Sequence, residues 1–205
     1  MVDFSTNNYE RYIYKLIEGD SIVIHKSCSQ FYVILAGVLN ISKVFTNQEV
    51  YAINIISDGS FFRPSFSNYY ANNYYYALQA IQTTYIVSLT NNKLHKFNLM
   101  EKDNRKAVMY NTCNLTEILI HKNTQYRLTH LLILLSKNFG ILDSHKVVIP
   151  LQLSYKTLGI MIGSNGSSVG KILRILDKNH IVKHSRNWIN IYSLKELTLF
   201  KKNEI

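Results

Sequence analysis

Hydrophobic and polar positions alternate over the first ninety residues in short runs that end at turn residues. The clearest runs are 21–24, 31–35, 38–44 and 49–56, followed by two more within 77–89. Gly19, Gly37 and Gly59 stand beside the ends of these runs. Alternation interrupted by glycine-marked turns is typical of strands in an all-β sandwich or barrel. We therefore predict a β domain over residues 1–98, with the Ser-, Asn- and Tyr-rich stretch 67–76 as a surface loop.

The hydrophobic period changes to three or four residues in the middle of the chain. Between residues 92 and 139 there is neither glycine nor proline. Two sets of side chains recur there at helical spacing: Val108, Thr112, Leu115 and Leu119, and then Leu128, Leu131, Leu132 and Leu135. The pattern predicts a long amphipathic helix that ends at Gly140, within a segment 99–140. Its apolar face either packs on the β domain of its own chain or pairs with the same helix of a second copy.

The last third of the sequence, residues 141–205, has the pattern of a winged helix-turn-helix. Ser154 is a predicted N-cap, Gly163 interrupts the helical pattern, and Ser164 or Asn165 caps the next helix. The predicted elements are helices over 155–162 and up to residue 179, and a hairpin of strands 181–184 and 188–192. Helix, turn, helix and two-stranded ribbon is an arrangement that reads duplex DNA. Together with the β-rich beginning, it makes the predicted fold class α+β.

The net charge of +10 is concentrated at the C-terminal end of the chain. Residues 145–205 carry ten basic and three acidic side chains, which is +7 of the total. A basic module favours a phosphate-bearing partner such as nucleic acid, and plain solubility is the alternative explanation. The two cysteines cannot ligate a zinc ion or an iron–sulfur cluster by themselves. No phosphate-binding loop, catalytic triad order or H-E-x-x-H motif occurs, so the sequence predicts neither a metal site nor an enzyme.

Membrane and targeting segments are not predicted. The apolar runs are much shorter than the about 18–20 residues that span a bilayer. The first residues contain an early acid and lack the apolar core of a signal peptide. The chain is rich in Asn, Ile, Lys and Tyr, whose codons are AT-rich, and this favours an AT-rich genome such as that of an organelle or a biased bacterium.

The residues of the predicted helix-turn-helix resemble those of a known family. The stretch 153–173 is similar to the DNA-binding signature of the cyclic-AMP receptor / fumarate–nitrate regulator family. The order of β domain, long helix and winged helix resembles the same family over nearly the whole chain. Residues 127–134, followed by 138–140 and 149–151, are most similar to the global nitrogen regulators of cyanobacteria and red-algal plastids.

This resemblance implies a jelly roll of the cyclic-nucleotide-binding type, a dimerisation helix and a winged helix-turn-helix. It implies a homodimer whose second helices enter successive major grooves of a palindromic site in double-stranded DNA. Such a protein would be a transcription regulator, most simply an activator of nitrogen-controlled genes that contacts RNA polymerase. The resemblance places it in the plastid stroma or, failing that, in a bacterial cytoplasm. The implied dimer-helix residues are Val108, Thr112, Leu115 and Leu119.

Ten residues are predicted to contact DNA. They are Ser154, Thr157, Ser164, Asn165, Gly166, Ser167, Ser168, Lys171, Lys183 and Arg186. Lys171 is interpreted as a phosphate contact, whereas Arg174 and Lys178 are interpreted as solvated surface charges. The family reads a guanine with an arginine at the position of Gly166, and a bidentate contact of that kind is worth about 1–3 kcal/mol. Glycine cannot make it, so the chain either reads a different site or is a ligand-sensing protein with relaxed or decayed DNA specificity.

The effector pocket departs from the family as well. Cyclic-nucleotide binders hold ribose and phosphate with a Gly-Glu and an Arg-Ser pair, which are missing from residues 61–66 and 74–77. The carboxylates of 2-oxoglutarate require cationic partners, but the motif places Tyr74 and Val108 at the arginine positions and Cys113 at a glutamate position. We therefore expect no cofactor and no bound cyclic nucleotide, and a regulator that is independent of an effector or is controlled differently. The alternative left open is 2-oxoglutarate, with Arg63 of the corresponding turn as its cationic partner. The candidate pocket residues are Phe62, Arg63, Pro64 and Tyr74.

Overall fold

The computed structural model describes residues 12–26, 30–66, 73–90 and 112–200. Its first half is a sandwich of two antiparallel sheets, with strand orders β1-β8-β3-β6 and β2-β7-β4-β5-β9. The strands are β1 Tyr12–Leu16, β2 Ser21–Ile24, β3 Gln30–Ala36, β4 Val38–Phe45, β5 Val50–Ser57, β6 Phe61–Phe62, β7 Tyr74–Ala80, β8 Thr84–Thr90 and β9 Thr112–Asn114. Neighbouring strands are mostly distant in sequence, as in a jelly roll.

Alternating apolar side chains fill the space between the two sheets. Ile34 of β3, Leu39 of β4, Leu78 of β7 and Ile86 of β8 are fully buried in one cluster. Gly37 joins β3 to β4 with a φ of +101°, and a Cβ atom there would lie 2.5 Å from Oγ1 of Thr84. This turn therefore requires glycine for both its backbone conformation and its space.

Strands β2 to β5 lie where the sequence predicts them, to within one residue at each end. The predicted loop 67–76 is wrong at its last three residues, because Tyr74–Ala80 forms β7 and pairs with β4. Aromatic side chains suit a half-buried pleated surface, which explains why a tyrosine run continues the strand instead of a loop. Residues 67–72 of that stretch lie outside the described residues, and Asn73 is a bend directly before β7.

The predicted long helix is wrong over residues 112–123. Helix α1 comprises Thr124–Phe139, and it follows β9 and a 3-10 helix at Thr116–Ile120. Thr112 is therefore in a strand, Leu115 directly precedes the 3-10 helix and Leu119 lies within it. Val108 lies outside the described residues.

Two asparagines explain where the helical pattern is interrupted. The side-chain oxygen of Asn114 accepts hydrogen bonds from the backbone N–H of Thr116 at 3.0 Å and from its hydroxyl at 2.7 Å, which closes a turn. Asn123 is the N-cap of α1, and its Oδ1 accepts from the N–H of Gln125 at 2.8 Å. Such side chains compete with helical hydrogen bonds, so the chain turns twice before α1 begins.

The C-terminal part contains the predicted helix-turn-helix and hairpin. The elements are β10 Ile141–Asp143, β11 Lys146–Ile149, α2 Tyr155–Met161, α3 Gly166–Lys178, β12 Val182–His184, β13 Ile189–Ile191 and α4 Leu194–Leu199. The four strands form one antiparallel sheet in the order β10-β11-β13-β12. Strands β10 and β11 and helix α4 were not predicted from the sequence. No helix in the described ranges is long and apolar enough to cross a membrane.

One continuous apolar core joins this module to the β domain. Leu128, Leu131, Leu132 and Leu135 of α1 are fully buried, as the spacing predicts. The same cluster contains Val38, Ala52, Ile55 and Ile81 of the β domain together with Leu158, Met161 and Ile162 at α2. Helix α2 packs on β5, so the helix-turn-helix is attached to the outer face of the five-stranded sheet.

Polar contacts secure the same junction. Arg127 of α1 donates from Nε to the carbonyl of His121 at 2.6 Å and from Nη1 to the carbonyl of Ile162 at 3.3 Å. Nε2 of His121 lies 3.0 Å from Nδ1 of His130. Burial, and secondly the neighbouring His121, lower the pKa of His130, while Glu117 opposes this shift. The pair therefore shares one hydrogen bond while His130 is neutral.

Leu131→Ala is expected to lower the free energy of unfolding by about 2–5 kcal/mol, because it removes a fully buried side chain from the shared core. The matched control is Leu142→Ala, since Leu142 is 78% exposed on β10. The control should change stability by less than about 0.5 kcal/mol. Urea titration followed by circular dichroism measures both, and equal effects would contradict the assigned core.

Stability should depend on pH through His130. Its pKa in the fold is below the ordinary 6.5, so the unfolded chain binds the proton more readily. The contribution of neutral His130 is complete above about pH 6.5 and is lost as the pH falls towards the lowered value. His130→Gln should reduce the drop in Tm between about pH 7.5 and 5.5. His145→Gln, a change at an exposed turn residue, should leave that drop intact.

Candidate nucleic-acid interface

The turn between α2 and α3 fixes the second helix against the first. Gly163 has a φ of +61°, and the N–H of Ser164 donates to the carbonyl of Gly159 at 2.8 Å. A Cβ on Gly159 would lie 2.7 Å from the carbonyl oxygen of Ser164. Asn165 is the N-cap of α3 and accepts from the N–H of Ser168 at 2.7 Å. These contacts confirm the predicted turn and hold α3 in one orientation.

Helix α3 presents a cationic face. Ser167, Lys171, Arg174 and Lys178 are all exposed and are spaced by four, three and four residues. That spacing places them along one side of the helix. None of the three cations forms an ion pair with a described residue, and each is therefore available to an anion. Arg174 and Lys178, which the sequence predicts to be solvated surface charges, lie on the same face of the helix as Lys171.

Two further predicted residues lie on the hairpin that follows α3. Lys183 is in β12 and Arg186 is in the turn between β12 and β13, and both are exposed. Neither is ion-paired within the described part of the chain. The hairpin thus adds two free cations to those of α3.

The other predicted contacts have different surroundings. Ser164 and Ser168 are half-buried, and the side chain of Asn165 is engaged as the helix cap. A Cβ at Gly166 would lie 3.1 Å from the backbone nitrogen of Lys156, so this position faces the beginning of α2. Close approach of the two helices therefore favours glycine there.

Ser154 and Thr157 belong to the start of α2. The hydroxyl of Ser154 accepts from the N–H of Thr157 at 3.0 Å, which confirms the predicted N-cap, and the two hydroxyl oxygens are 2.8 Å apart. Both residues line a cleft against Gly19 and Ile81 of the β domain. They lie on the side of α2 that faces the β domain.

Sequence reasoning missed Tyr155. A Cβ added to Gly170 of α3 would come within 3.1 Å of the Tyr155 ring, so the ring occupies the space that glycine leaves. The ring also contacts His184 of β12, with 4.9 Å between centroids, and Nε2 of His184 lies 2.6 Å from the carbonyl of Leu153. Tyr155 thus joins α2, α3 and the hairpin. The signal available in the sequence was Tyr155 followed by Gly166 and Gly170, two glycines that are four residues apart on α3.

Aromatic side chains contact one another at the candidate effector pocket. Phe66 stacks on Tyr74 with 5.6 Å between centroids and meets the edge of Tyr76 at 5.1 Å. Phe62 also packs edge-on against Tyr76, at 5.2 Å. The ammonium of Lys43 lies 4.5 Å from the centre of the Tyr74 ring. Phe62 and Tyr74 therefore each pack against neighbouring aromatic side chains.

The remaining pocket candidates lie on the segment after β6. Arg63 is exposed and Pro64 is half-buried, while the hydroxyl of Tyr76 donates to the carbonyl of Ser65 at 2.7 Å. Burial, reinforced by Tyr74, raises the pKa of Tyr76 to about 12. Tyr76 therefore stays protonated and keeps this segment attached to β7. Among the described residues no group of three His, Cys, Asp or Glu side chains could hold a metal ion.

Comparison with curated proteins gives a relative of similar length. The chain is 27% identical over 197 residues to "Putative HTH-type transcriptional regulator ycf28" of Porphyra purpurea, covering 92% of this chain and 81% of that protein. No protein-family model matches the chain.

Solved structures show the same architecture. The CRP-family transcriptional regulator TTHB099 of Thermus thermophilus aligns with a TM-score of 0.64 at 14% identity, over 91% of this chain and 95% of that one. The protein CprK, complexed with the ligand OCPA, aligns with a TM-score of 0.63 at 17% identity, over 92% and 88%. The relatives named by function are regulators and not enzymes, which confirms the prediction that the chain is no enzyme. The chain therefore has the fold of the CRP-family transcriptional regulators.

Proposed function

We propose that the chain is a sequence-specific DNA-binding transcription regulator that works as a homodimer on a palindromic site. The observation that carries this proposal is the exposed cationic face of α3, which is the second helix of the helix-turn-helix. The curated relative, which is named as an HTH-type transcriptional regulator, supports it. Regulators of the same fold support the dimer as well, because helix-turn-helix dimers match the twofold symmetry of palindromic operators.

In this proposal α3 enters the major groove. Lys171, Arg174 and Lys178 along the helix, with Lys183 and Arg186 on the hairpin, contact phosphates and position the module. Ser167 is the exposed residue nearest the start of α3 and reads base edges with its hydroxyl. Gly166 contributes no side chain, so the base sequence differs from one that requires an arginine at that position.

The biological setting follows from the resemblance of the sequence. We infer an activator of nitrogen-controlled genes that contacts RNA polymerase in a plastid stroma. The likeness to a protein of the red alga Porphyra purpurea and the abundance of residues with AT-rich codons support a plastid origin.

We also infer that no small-molecule effector binds in the barrel interior, the space between the two sheets of the β sandwich. Phe62, Phe66, Tyr74 and Tyr76 contact one another where the sequence predicted a ligand pocket. The only cation on the predicted pocket segment, Arg63, is exposed to solvent. A dianion such as 2-oxoglutarate would have to displace the aromatic rings, and the nearby ammonium of Lys43, its closest cationic partner, already lies over the Tyr74 ring.

Lys171→Gln is expected to weaken binding to duplex DNA and to reduce the slope of log K against log salt by about 1.8, because each of the two subunits of the proposed dimer loses one phosphate contact worth about 0.9. Lys15→Gln is the matched control, because Lys15 is exposed on β1 of the β domain. Fluorescence anisotropy with the nitrogen-control palindrome and with a scrambled duplex, at several salt concentrations, measures both.

The same titration separates the proposal from its alternative. Selective, salt-dependent binding that Lys15→Gln leaves intact would support the regulator. Absence of duplex binding at low salt would favour the alternative, a ligand-sensing protein whose DNA specificity has decayed, for which Gly166 is the favouring observation. If both duplexes bind alike, selection from random DNA must identify the preferred site.

Addition of 2-oxoglutarate or cyclic AMP is expected to leave duplex affinity and Tm unchanged, because aromatic side chains already contact one another at the candidate pocket. Phe66→Ala should lower Tm by removing the ring between Tyr74 and Tyr76. Differential scanning fluorimetry of both proteins with each compound tests this. A ligand-induced rise in the Tm of the unaltered protein would contradict an effector-independent barrel.

A further inference from the structure

A cleft of about 250 Å³ separates the β domain from the helix-turn-helix. One wall consists of Glu18 and Gly19 in the turn between β1 and β2, with Gln79 of β7. The opposite wall consists of Lys156 and Thr157 of α2 and the residues just before it. The volume is below the about 300–1,000 Å³ of sites for drug-sized ligands, so the cleft suits a small metabolite.

The two walls carry opposite charges. Glu18 and Lys156 are exposed, and neither forms an ion pair with a described residue. An anion on one wall and a cation on the other complement a molecule that carries both charges.

Two amides and an apolar floor complete the cleft. Nε2 of Gln79 makes one long hydrogen bond, 3.4 Å, to the carbonyl of Gly19, and Nε2 of Gln152 makes one of 3.5 Å to Asn187. Their oxygens accept no hydrogen bond from a described residue, so they are free to accept from an ammonium group. The floor is formed by Ala80, Ile81 and Ile160, and it suits a short side chain.

We propose that this cleft binds an α-amino acid with a short side chain. Glu18 pairs with the ammonium group of the ligand, which also donates hydrogen bonds to the amide oxygens of Gln79 and Gln152. Lys156 pairs with the carboxylate of the ligand. The side chain of the ligand lies against Ile81 and Ile160. The site is separate from the aromatic barrel interior.

Ligand binding in this cleft opposes DNA binding, and this part of the inference rests on the proposed function. Ser154 and Thr157, two of the predicted DNA contacts, lie in the wall beside Lys156. A ligand that bridges Glu18 and Lys156 covers the sides of Ser154 and Thr157 that line the cleft. The same residues then cannot reach phosphates, so amino acid and duplex exclude each other.

Isothermal titration of the full chain without DNA tests the site directly. The probes are glycine, L-alanine, L-valine and L-glutamine, with isobutylamine and 3-methylbutanoate as analogues of valine that each lack one charge. At least one amino acid should bind, and each single-charge analogue of valine should bind at least about tenfold more weakly than valine. No measurable heat for any amino acid, or equal affinity for valine and its analogues, would overturn the site.

Two variants assign the binding to the cleft. Glu18→Gln and Lys156→Met should each weaken amino-acid binding by about tenfold or more, with little change in Tm because both side chains are exposed and unpaired. Glu49→Gln and Lys195→Met, which alter exposed charges elsewhere, are the matched controls and should bind as the unaltered chain does. Loss of affinity in the controls alone would place the ligand elsewhere.

The coupling is measured by duplex titration with the amino acid at ten times its own Kd. Mutual exclusion predicts about a tenfold weaker duplex affinity. Glu18→Gln should remove this effect while it binds duplex normally. Unchanged duplex affinity would refute the coupling, whereas amino-acid binding by a chain that binds no duplex would refute the proposed function and leave the site standing.

Discussion

The apolar core shared by α1, α2 and the outer face of the five-stranded sheet determines how the two halves of the molecule are joined. Ile55 and Ile81 on the sheet and Met161 and Ile162 at α2 belong to one buried cluster with the leucines of α1. Cores of this kind are close-packed, so a shift of α2 on the sheet would open voids in it. The orientation of α3 follows, because the turn at Gly163 fixes α3 on α2.

This junction divides the possible sites of control into two. Inside the sandwich, the rings of Phe66, Tyr74 and Tyr76 pack against one another. The hydroxyl of Tyr76 donates a hydrogen bond to the carbonyl of Ser65, in the segment after β6. Outside it, the charged residues Glu18 and Lys156 line a cleft, and neither forms an ion pair with a residue in the described part of the chain. On the proposed function, in which no small molecule binds inside the sandwich, a signal would act most directly at the boundary of the domains. That boundary is where α2 meets the β domain.

Local rules account for most of what could be predicted from the sequence. Alternation located β2 to β5, and the caps at Ser154 and Asn165 located α2 and α3, because these signals depend on neighbouring residues only. The helix predicted across 112–119 is wrong because β9 pairs with β5, about sixty residues earlier in the chain, and no local pattern records that pairing. The role of Arg127 was hidden for the same reason, since its partner Ile162 is 35 residues away.

The two glycines of α3 show why a comparison with a family motif, one position at a time, describes the site incompletely. From the sequence alone, Gly166 stands where the family has an arginine, and Gly170 lowers the helix propensity of α3. In the structure, Gly166 lets the start of α2 approach α3, and Gly170 receives the Tyr155 ring. An arginine restored at 166 would have to displace backbone atoms of Tyr155 and Lys156 by a few tenths of an ångström. A side chain at position 166 would therefore change the position of Tyr155. On the proposed function, exposed residues of α3 such as Ser167 discriminate between bases instead.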